Sequence, residues 1–338
     1  MKFLRFLLFP FAAIYWLVTS VRNKLYDVNI LKSFAIPGKS ICIGNLSMGG
    51  TGKSPHTIMI ARILLERNIP VAILSRGYGR ATKGLLEVDQ NSTTKDVGDE
   101  PKNYKSIFGE SATVVVSEDR KIGVQYIRKN EPNAVILLDD AFQHRKVKAG
   151  LNILLTSYSH PFSKDFLFPV GMLRESRMGR KRADLIVVTK CPSTTSKKFN
   201  HIDNSLNYPE SKILHSIIDY SPLETPTNNV NEVLLVTGIA NSKPLLSELE
   251  KHYLVKELKY KDHHQFTEQD LAAIRKKFDS FASREKLIVT TEKDYMRLSE
   301  MEGFSAMKEM WAIQRISTRI LDNEKKFNEL ICNYAQQD

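Results

Sequence analysis

One stretch does most to limit the fold open to this chain: Ile41-Cys-Ile-Gly-Asn-Leu-Ser-Met-Gly-Gly-Thr-Gly-Lys-Ser54. An apolar run enters a glycine-rich turn, and a lysine and a hydroxyl residue follow at the start of a helical pattern. That is the strand–loop–helix context of a phosphate-binding loop. The nucleotide-binding stretch runs from Ser47 and Met48 through Gly49 to Ser54. Backbone N–H groups of Gly50, Thr51 and Gly52 are expected to cradle phosphates, Lys53 to reach the β/γ oxygens and Ser54 to ligate magnesium. Two positions depart from common patterns. Ser47 stands where the strict motif has its first glycine, and Met48 where dimeric MinD-like ATPases carry a signature lysine.

Such a loop needs a second metal ligand. Asn133-Ala-Val-Ile-Leu-Leu-Asp-Asp140 is an apolar strand ending in two carboxylates, and either Asp139 or Asp140 could hold the ion. Gln143, His144 and Arg145 follow at the strand end, where open α/β sheets bind ligands. Further short apolar runs read as strands at 40–43, 71–74, 113–116, 135–138, 153–155 and 185–188, with helices at 56–67 and 121–128. This alternation predicts a P-loop-type α/β domain with a mostly parallel sheet. A turn-rich polar stretch from Ser221 to Asn229 reads as a linker to a second, smaller α/β unit. The divisions expected are 1–36, 37–225 and 226–338.

The opening segment is apolar from Phe6 to Val21, flanked by Lys2, Arg5, Arg22 and Lys24 and interrupted by Pro10. It is short for a spanning helix, and Tyr15 and Trp16 favour an interface. An N-terminal apolar membrane helix on the cytoplasmic face is therefore expected. The formal charge of +11 calls for an anionic partner. No arginine-rich tail, zinc-finger spacing or RNA-binding aromatic signature supports nucleic acid. Cys42, Cys191 and Cys332 form neither a disulfide framework nor a metal motif, and Cys42 reads as core. Val187-Val-Thr-Lys-Cys-Pro192 has proline where a guanine reader needs aspartate, so ATP is the expected donor. Nothing points to an obligate protein partner.

Val97-Gly-Asp-Glu-Pro101 alone reads as a turn, and Asp262-His263-His264 as a solvated loop or a zinc pair. Together with the phosphate loop, Leu74-Ser-Arg-Gly-Tyr-Gly-Arg80, Leu138-Asp-Asp-Ala-Phe-Gln-His-Arg145, Pro169-Val-Gly-Met-Leu-Arg-Glu175 and Thr291-Glu-Lys-Asp294, they form an ordered set across residues 40–295. This set resembles the tetraacyldisaccharide 4'-kinases, whose phosphate loop also lacks the early glycine. The resemblance implies transfer of the ATP γ-phosphoryl, with Mg²⁺, to the 4'-hydroxyl of a tetraacylated glucosamine disaccharide 1-phosphate. The product, lipid IVA, belongs to the lipid A pathway that supplies lipopolysaccharide to the Gram-negative outer membrane. It further implies Asp99 as general base with His263 orienting it, Lys53 on the transferred phosphate, and Ser54, Asp139 and Glu175 serving magnesium. Arg76, Tyr78, Glu100, Arg120, Gln143, His144 and Arg174 are implied for charge stabilisation or head-group contact. The enzyme would work on the cytoplasmic face of the inner membrane, with the lipid disaccharide and the membrane surface as its partners. Ala141 replaces a common glycine and Ser54 a usual threonine, and neither change removes a functional group. Two rivals are a kinase with another glycolipid acceptor and a membrane-recruited ATPase switch.

Overall fold

The computed structural model describes residues 7–193, 199–224, 230–262, 264–321 and 323–337. Its strands are β1 (Phe34–Ala35), β2 (Ser40–Asn45), β3 (Val71–Ser75), β4 (Leu86–Glu87), β5 (Ala112–Val116), β6 (Val135–Asp139), β7 (Val147–Lys148), β8 (Leu151–Ser157), β9 (Leu185–Thr189), β10 (Ile213–Tyr220), β11 (Glu232–Thr237), β12 (Leu254–Lys259), β13 (Lys286–Thr291), β14 (Trp311–Gln314) and β15 (Ile316–Ile320). The helices are α1 (Phe9–Asp27), α2 (Lys53–Leu65), α3 (Thr94–Val97), α4 (Asp99–Phe108), α5 (Arg120–Asn130), α6 (Asn200–Leu206), α7 (Lys243–Leu249), α8 (Glu268–Asp279), α9 (Glu292–Ser299) and α10 (Glu324–Gln336).

Each of the six apolar runs expected before residue 200 lies within a strand of one nine-stranded sheet, ordered β15-β10-β9-β8-β2-β6-β3-β5-β4. The pairs are parallel except at the two margins, where β4 and β15 run antiparallel. Parallel strands covered on both faces need apolar side chains throughout, so these sequences show runs rather than alternation. Ile41, Ile43, Ile73 and Leu137 join the core on one face, and Cys42, Leu74, Ile136 and Leu138 the core on the other. Each such side chain contributes about 1.5–3 kcal/mol by leaving water. β2 lies between β6 and β8, with Ile43 opposite Asp139. The phosphate loop after β2 and the carboxylates ending β6 are thus neighbours at the carboxyl edge of the sheet, which is where such sheets bind ligands.

The second sheet, β12-β11-β13-β14, is wholly parallel. α8 buries Leu271, Ile274 and Phe278 on one face, and α7 buries Leu245 and Leu249 on the other. The expectation of a single unit from 226 to 338 needs correction. β15 pairs with β10 of the large sheet, and α10 packs Phe327 and Ile331 into the core beneath α2. An uncovered β10 would leave a row of unpaired backbone groups, and β15 satisfies them. The two crossings between the units run side by side: Ser221 N–H donates to Arg315 O at 3.0 Å, and Gln314 Nε2 donates to Ser221 O at 2.6 Å. Residues 225–229 of the expected linker lie outside the described residues.

The N-terminal apolar run forms α1, longer than expected, and no helix among the described residues is long and apolar enough to cross a membrane. The expectation of an apolar N-terminal membrane helix is corrected to this extent: the helix runs on into Arg22, Lys24 and Asp27, so it is not apolar along its length. Only Ala12 and Thr19 of α1 are buried. Phe11, Ile14, Val18 and Val21, spaced along one helical stripe, are exposed.

Candidate active site

The phosphate loop is held from several sides. Ser47 bridges Leu173, Met48 N–H donates to Met172 O at 2.6 Å, and Arg174 N–H donates to Leu46 O at 2.8 Å. This pairing replaces the turn for which the strict motif uses its first glycine. Gly52, with φ of 86°, sits immediately before α2, in a left-handed conformation that favours glycine. Behind the loop, Thr189 Oγ1 donates to Thr51 O at 2.8 Å and Lys190 Nζ donates to Gly50 O at 2.6 Å. His56 joins Gly52 O (2.7 Å) to Ser216 Oγ (2.9 Å), and burial pushes its pKa down to about 4, so the ring is a neutral brace. The free N–H groups at the start of α2 and its dipole face the anion site.

Across the loop, the two aspartates separate in role. Asp140 adopts φ of 49° and carries the cations: Lys53 Nζ lies 3.5 Å from Oδ2, and Arg174 Nη1 donates to both oxygens at 2.9 and 3.0 Å. Asp139 is buried with an unpartnered Oδ1. Burial first, then the charges of Asp140 and Glu100, raise its pKa to about 6, against the pull of Lys53. An orphaned buried carboxylate oxygen at the end of β6, next to the strand that leads into the phosphate loop, suits a divalent cation. Asp139 is therefore the better metal candidate of the two.

Glu175 does not fit its expected metal role. Its carboxylate is fully buried and receives Asn23 Nδ2 (2.7 Å), Gln143 Nε2 (3.0 Å) and Arg182 Nη2 (2.7 Å). It fastens α1 to the site, helped by Tyr15, whose hydroxyl donates to Arg174 O at 2.7 Å, and by Arg145, which bonds Asn23 O and Asp27. Glu175→Ala leaves Arg182 without this acceptor in a partly buried setting. We expect a loss of about 3 kcal/mol in denaturant unfolding and faster proteolysis of α1.

Gln143 also donates to Asn45 O at 2.7 Å, so it ties β2 to Glu175. Arg120 is buried and braces the strand end, with Nη1 to Ser117 O at 2.5 Å and Nη2 to Asp139 O at 3.3 Å. Burial lowers its pKa to about 10. His144 is half-buried, its pKa lowered by burial and then by Arg120. Arg76 and Tyr78 are exposed on the loop after β3, Tyr78 at 74 %. That loop packs closely on Gly98, where an added Cβ would come within 2.9 Å of Tyr78 O.

The turn expected at 97–101 is instead the junction of α3 and α4, and Gly98 lets Asp99 begin α4. Asp99 meets Arg297 of α9, whose Nε donates at 3.0 Å and whose Nη2 bonds the second oxygen. Glu100 meets Lys293 at 2.6 Å. Arg297 also bonds Asp294 (3.2 Å) and His264 O (3.5 Å). His263 lies outside the described residues. His264 is engaged elsewhere, bonded to Asp270 at 3.0 Å and stacked on Tyr260. Sequence reasoning missed Lys190, Asn23, Arg182 and Arg297. Only Arg297 carried a signal, three residues beyond Asp294 on the same helix.

A parallel sheet whose strand-to-helix glycine loop faces a Walker-type carboxylate defines a P-loop nucleoside-triphosphate-binding protein. A family model described as LpxK, tetraacyldisaccharide-1-P 4'-kinase, matches residues 4–336. A tetraacyldisaccharide 4'-kinase of Flavobacterium psychrophilum is 42% identical over 99% of this chain and 98% of its own length. One of Bacteroides thetaiotaomicron is 42% identical over 98% of this chain and 93% of its own length. The crystal structure of LpxK from Aquifex aeolicus in complex with ATP superposes with a TM-score of 0.76 at 29% identity, covering 98% of this chain and 99% of that one. The chain belongs to the tetraacyldisaccharide 4'-kinase family, whose reaction is ATP-dependent 4'-phosphorylation in lipid A biosynthesis.

Proposed function

We propose that this chain, at the cytoplasmic face of the inner membrane, moves the γ-phosphoryl of Mg·ATP to the 4'-hydroxyl of a tetraacylated glucosamine disaccharide 1-phosphate. The observation that carries the reading is the convergence of the phosphate loop, Lys53 and the orphaned Asp139 oxygen at one sheet edge, with Asp99 and Asp139 both acting on the same Lys293 ammonium. Ser54 and Asp139 hold the magnesium, which neutralises charge on the phosphate oxygens when bound. The N–H groups of Gly50 to Gly52 and the ammonium of Lys53 bind the triphosphate, and Asp140 keeps Lys53 and Arg174 aimed before nucleotide arrives.

Asp99 accepts the proton of the sugar hydroxyl, a weak nucleophile that gains from a positioned base. The family resemblance assigns the orienting of Asp99 to His263, which lies outside the described residues. Since Asp99 sits on α4 and its arginine partner on α9, approach of the two units brings onto the base the groups that orient it. Arg174, Arg76, Tyr78 and His144 contact the head group, and Arg120 supports the Walker strand from behind.

The lipid side of the reading rests on α1. Its polar side is bonded to the site through Asn23 and Tyr15, while the Phe11–Val21 stripe is exposed beside Phe166, Phe168 and Met172. Tyr15 and Phe168 touch edge to face, with ring centroids 6.1 Å apart. A substrate with four acyl chains stays in the bilayer, at about 0.8 kcal/mol per buried CH₂, so this stripe meets the membrane and brings the site to the lipid. Phe11→Glu with Val18→Glu is expected to reduce co-flotation with phosphatidylethanolamine–phosphatidylglycerol vesicles by at least about tenfold, because charged side chains on the apolar face oppose its burial at the interface. Residual binding, carried by the +11 charge, is expected to fall with added salt. Unchanged flotation of the double variant would remove α1 from the membrane contact.

A further inference from the structure

Thr291-Glu-Lys-Asp294 has no part in the roles above, yet its lysine stands in the catalytic cleft. The start of α9 is rigidly held. Asp294 N–H donates to Thr291 Oγ1 at 3.2 Å, and the Asp294 carboxylate takes Gly238 N–H at 2.9 Å and Arg297 Nη1 at 3.2 Å. Lys293 reaches from this helix to the first unit, where its Nζ lies 2.6 Å from Glu100 Oε1. Asp99 and Asp139 add their field to the same ammonium.

On the other side is Lys190, already bonded to Gly50 O of the phosphate loop. Burial, then the charges of Lys293 and Lys53, depress the Lys190 pKa. Three lysines from three separate elements are thus linked: Lys53 opens α2, Lys190 at the end of β9 bonds the phosphate loop, and the charges of Lys293 on α9 and of Lys53 both reach Lys190. Only Lys53 belongs to the loop motif. Carboxylates balance two of these ammonium groups, Glu100 on Lys293 and Asp140 on Lys53, and a triphosphate offers them a competing polyanion.

We propose that Lys293 leaves Glu100 when ATP binds and contacts the γ-phosphoryl group, so that the second unit supplies a cation to the transfer and Glu100 serves as its resting partner. This rests on the reading of the chain as an ATP-dependent kinase. The side chain keeps 31% of its surface accessible, and its four-carbon stem gives the ammonium room to swing. The change exchanges one charge-assisted hydrogen bond for another and forms no covalent bond.

The test uses the full-length protein with Mg²⁺ and compares ATP with ADP by titration calorimetry. Lys293→Met is expected to weaken ATP about tenfold while leaving ADP unchanged, and to lower kcat by about 100-fold. Lys293→Arg is expected to restore most of the ATP preference. Glu100→Gln frees Lys293 and is expected to keep or tighten ATP binding. If Lys293 were only a bridge between the units, Lys293→Met and Glu100→Gln would lower the melting temperature together and weaken ATP and ADP alike. That result, or undiminished ATP preference in Lys293→Met, overturns the proposal. Should Lys293→Met not fold, Glu100→Gln decides: lost ATP affinity overturns the proposal, and retained or tighter affinity supports it. The calorimetric readouts need no lipid, so a wild-type protein that binds nucleotide as expected but phosphorylates no lipid would sink the acceptor reading and leave Lys293 in place.

Discussion

Asp99→Asn is expected to lower kcat for lipid phosphorylation by about 10²–10⁴-fold, the range for removing a positioned general base, while ATP affinity changes little. The two functions separate because Asp99 lies at the start of α4 against α9, whereas the triphosphate site is built from the β2–α2 loop and the end of β6. Asparagine keeps the shape and can still accept from Arg297, so the contact between α4 and α9 survives in part. Arg297 is almost fully buried and retains Asp294 as a charged partner. The variant is therefore expected to lose on the order of 1–3 kcal/mol of stability without unfolding. Steady-state turnover measured beside nucleotide titration and thermal melting distinguishes the outcomes. Near-wild-type turnover would remove Asp99 from the base role, and parallel loss of ATP binding would recast it as structural.

Asp139→Asn should produce two opposite effects. Activity falls by about 10²–10³-fold, because an amide is a poor replacement for a magnesium-binding carboxylate. Metal-free stability near pH 7.5 rises. The Asp139 pKa is raised from 3.8 to about 6 by burial and by Asp140 and Glu100, so the folded state favours the neutral acid. A group shifted upward in this way stabilises the fold fully below its unfolded value. That contribution is lost as pH rises through about 6. Above this window the wild-type protein carries a cost of about 2–3 kcal/mol, which the neutral asparagine lacks. The gain in melting temperature should accordingly be clear at pH 7.5 and shrink toward zero by pH 4. A variant less stable than wild type at pH 7.5, or a gain independent of pH, would contradict this account of the buried carboxylate.

The contrast between these aspartates also shows where local sequence stops being informative. A strand ending in two carboxylates was plain from Asn133 to Asp140, but choosing between them was not. Their roles depend on Arg174 reaching Asp140 across 34 positions and on burial isolating Asp139. The continuous apolar strands β2, β3, β6 and β9 were readable because burial on both faces leaves no polar alternation. Glu175 shows the same limit. Its magnesium role was implied only by the family resemblance, and nothing local announced that its partners Asn23 and Arg182 come from α1 and from the turn that follows. The return of β15 to the large sheet had no local signal, since Ile316–Ile320 pairs with a strand about 100 positions earlier. The exposed Phe11–Val21 stripe was legible as an apolar run, but its fastening through Tyr15 and Asn23 required the tertiary structure.

The measurement closest to the central claim is incubation of the purified full-length protein with tetraacyldisaccharide 1-phosphate and Mg·ATP in detergent micelles, followed by mass spectrometry of the lipid, with Lys53→Ala beside it. Lys53 is the one side chain that belongs to the phosphate loop and also contacts a Walker-strand carboxylate, at 3.5 Å, so its removal should abolish transfer without disturbing α1. The account predicts a lipid product heavier by one phosphate, carried at the 4' position, and its loss in the variant. An intact protein that binds ATP and leaves the lipid unchanged would contradict it.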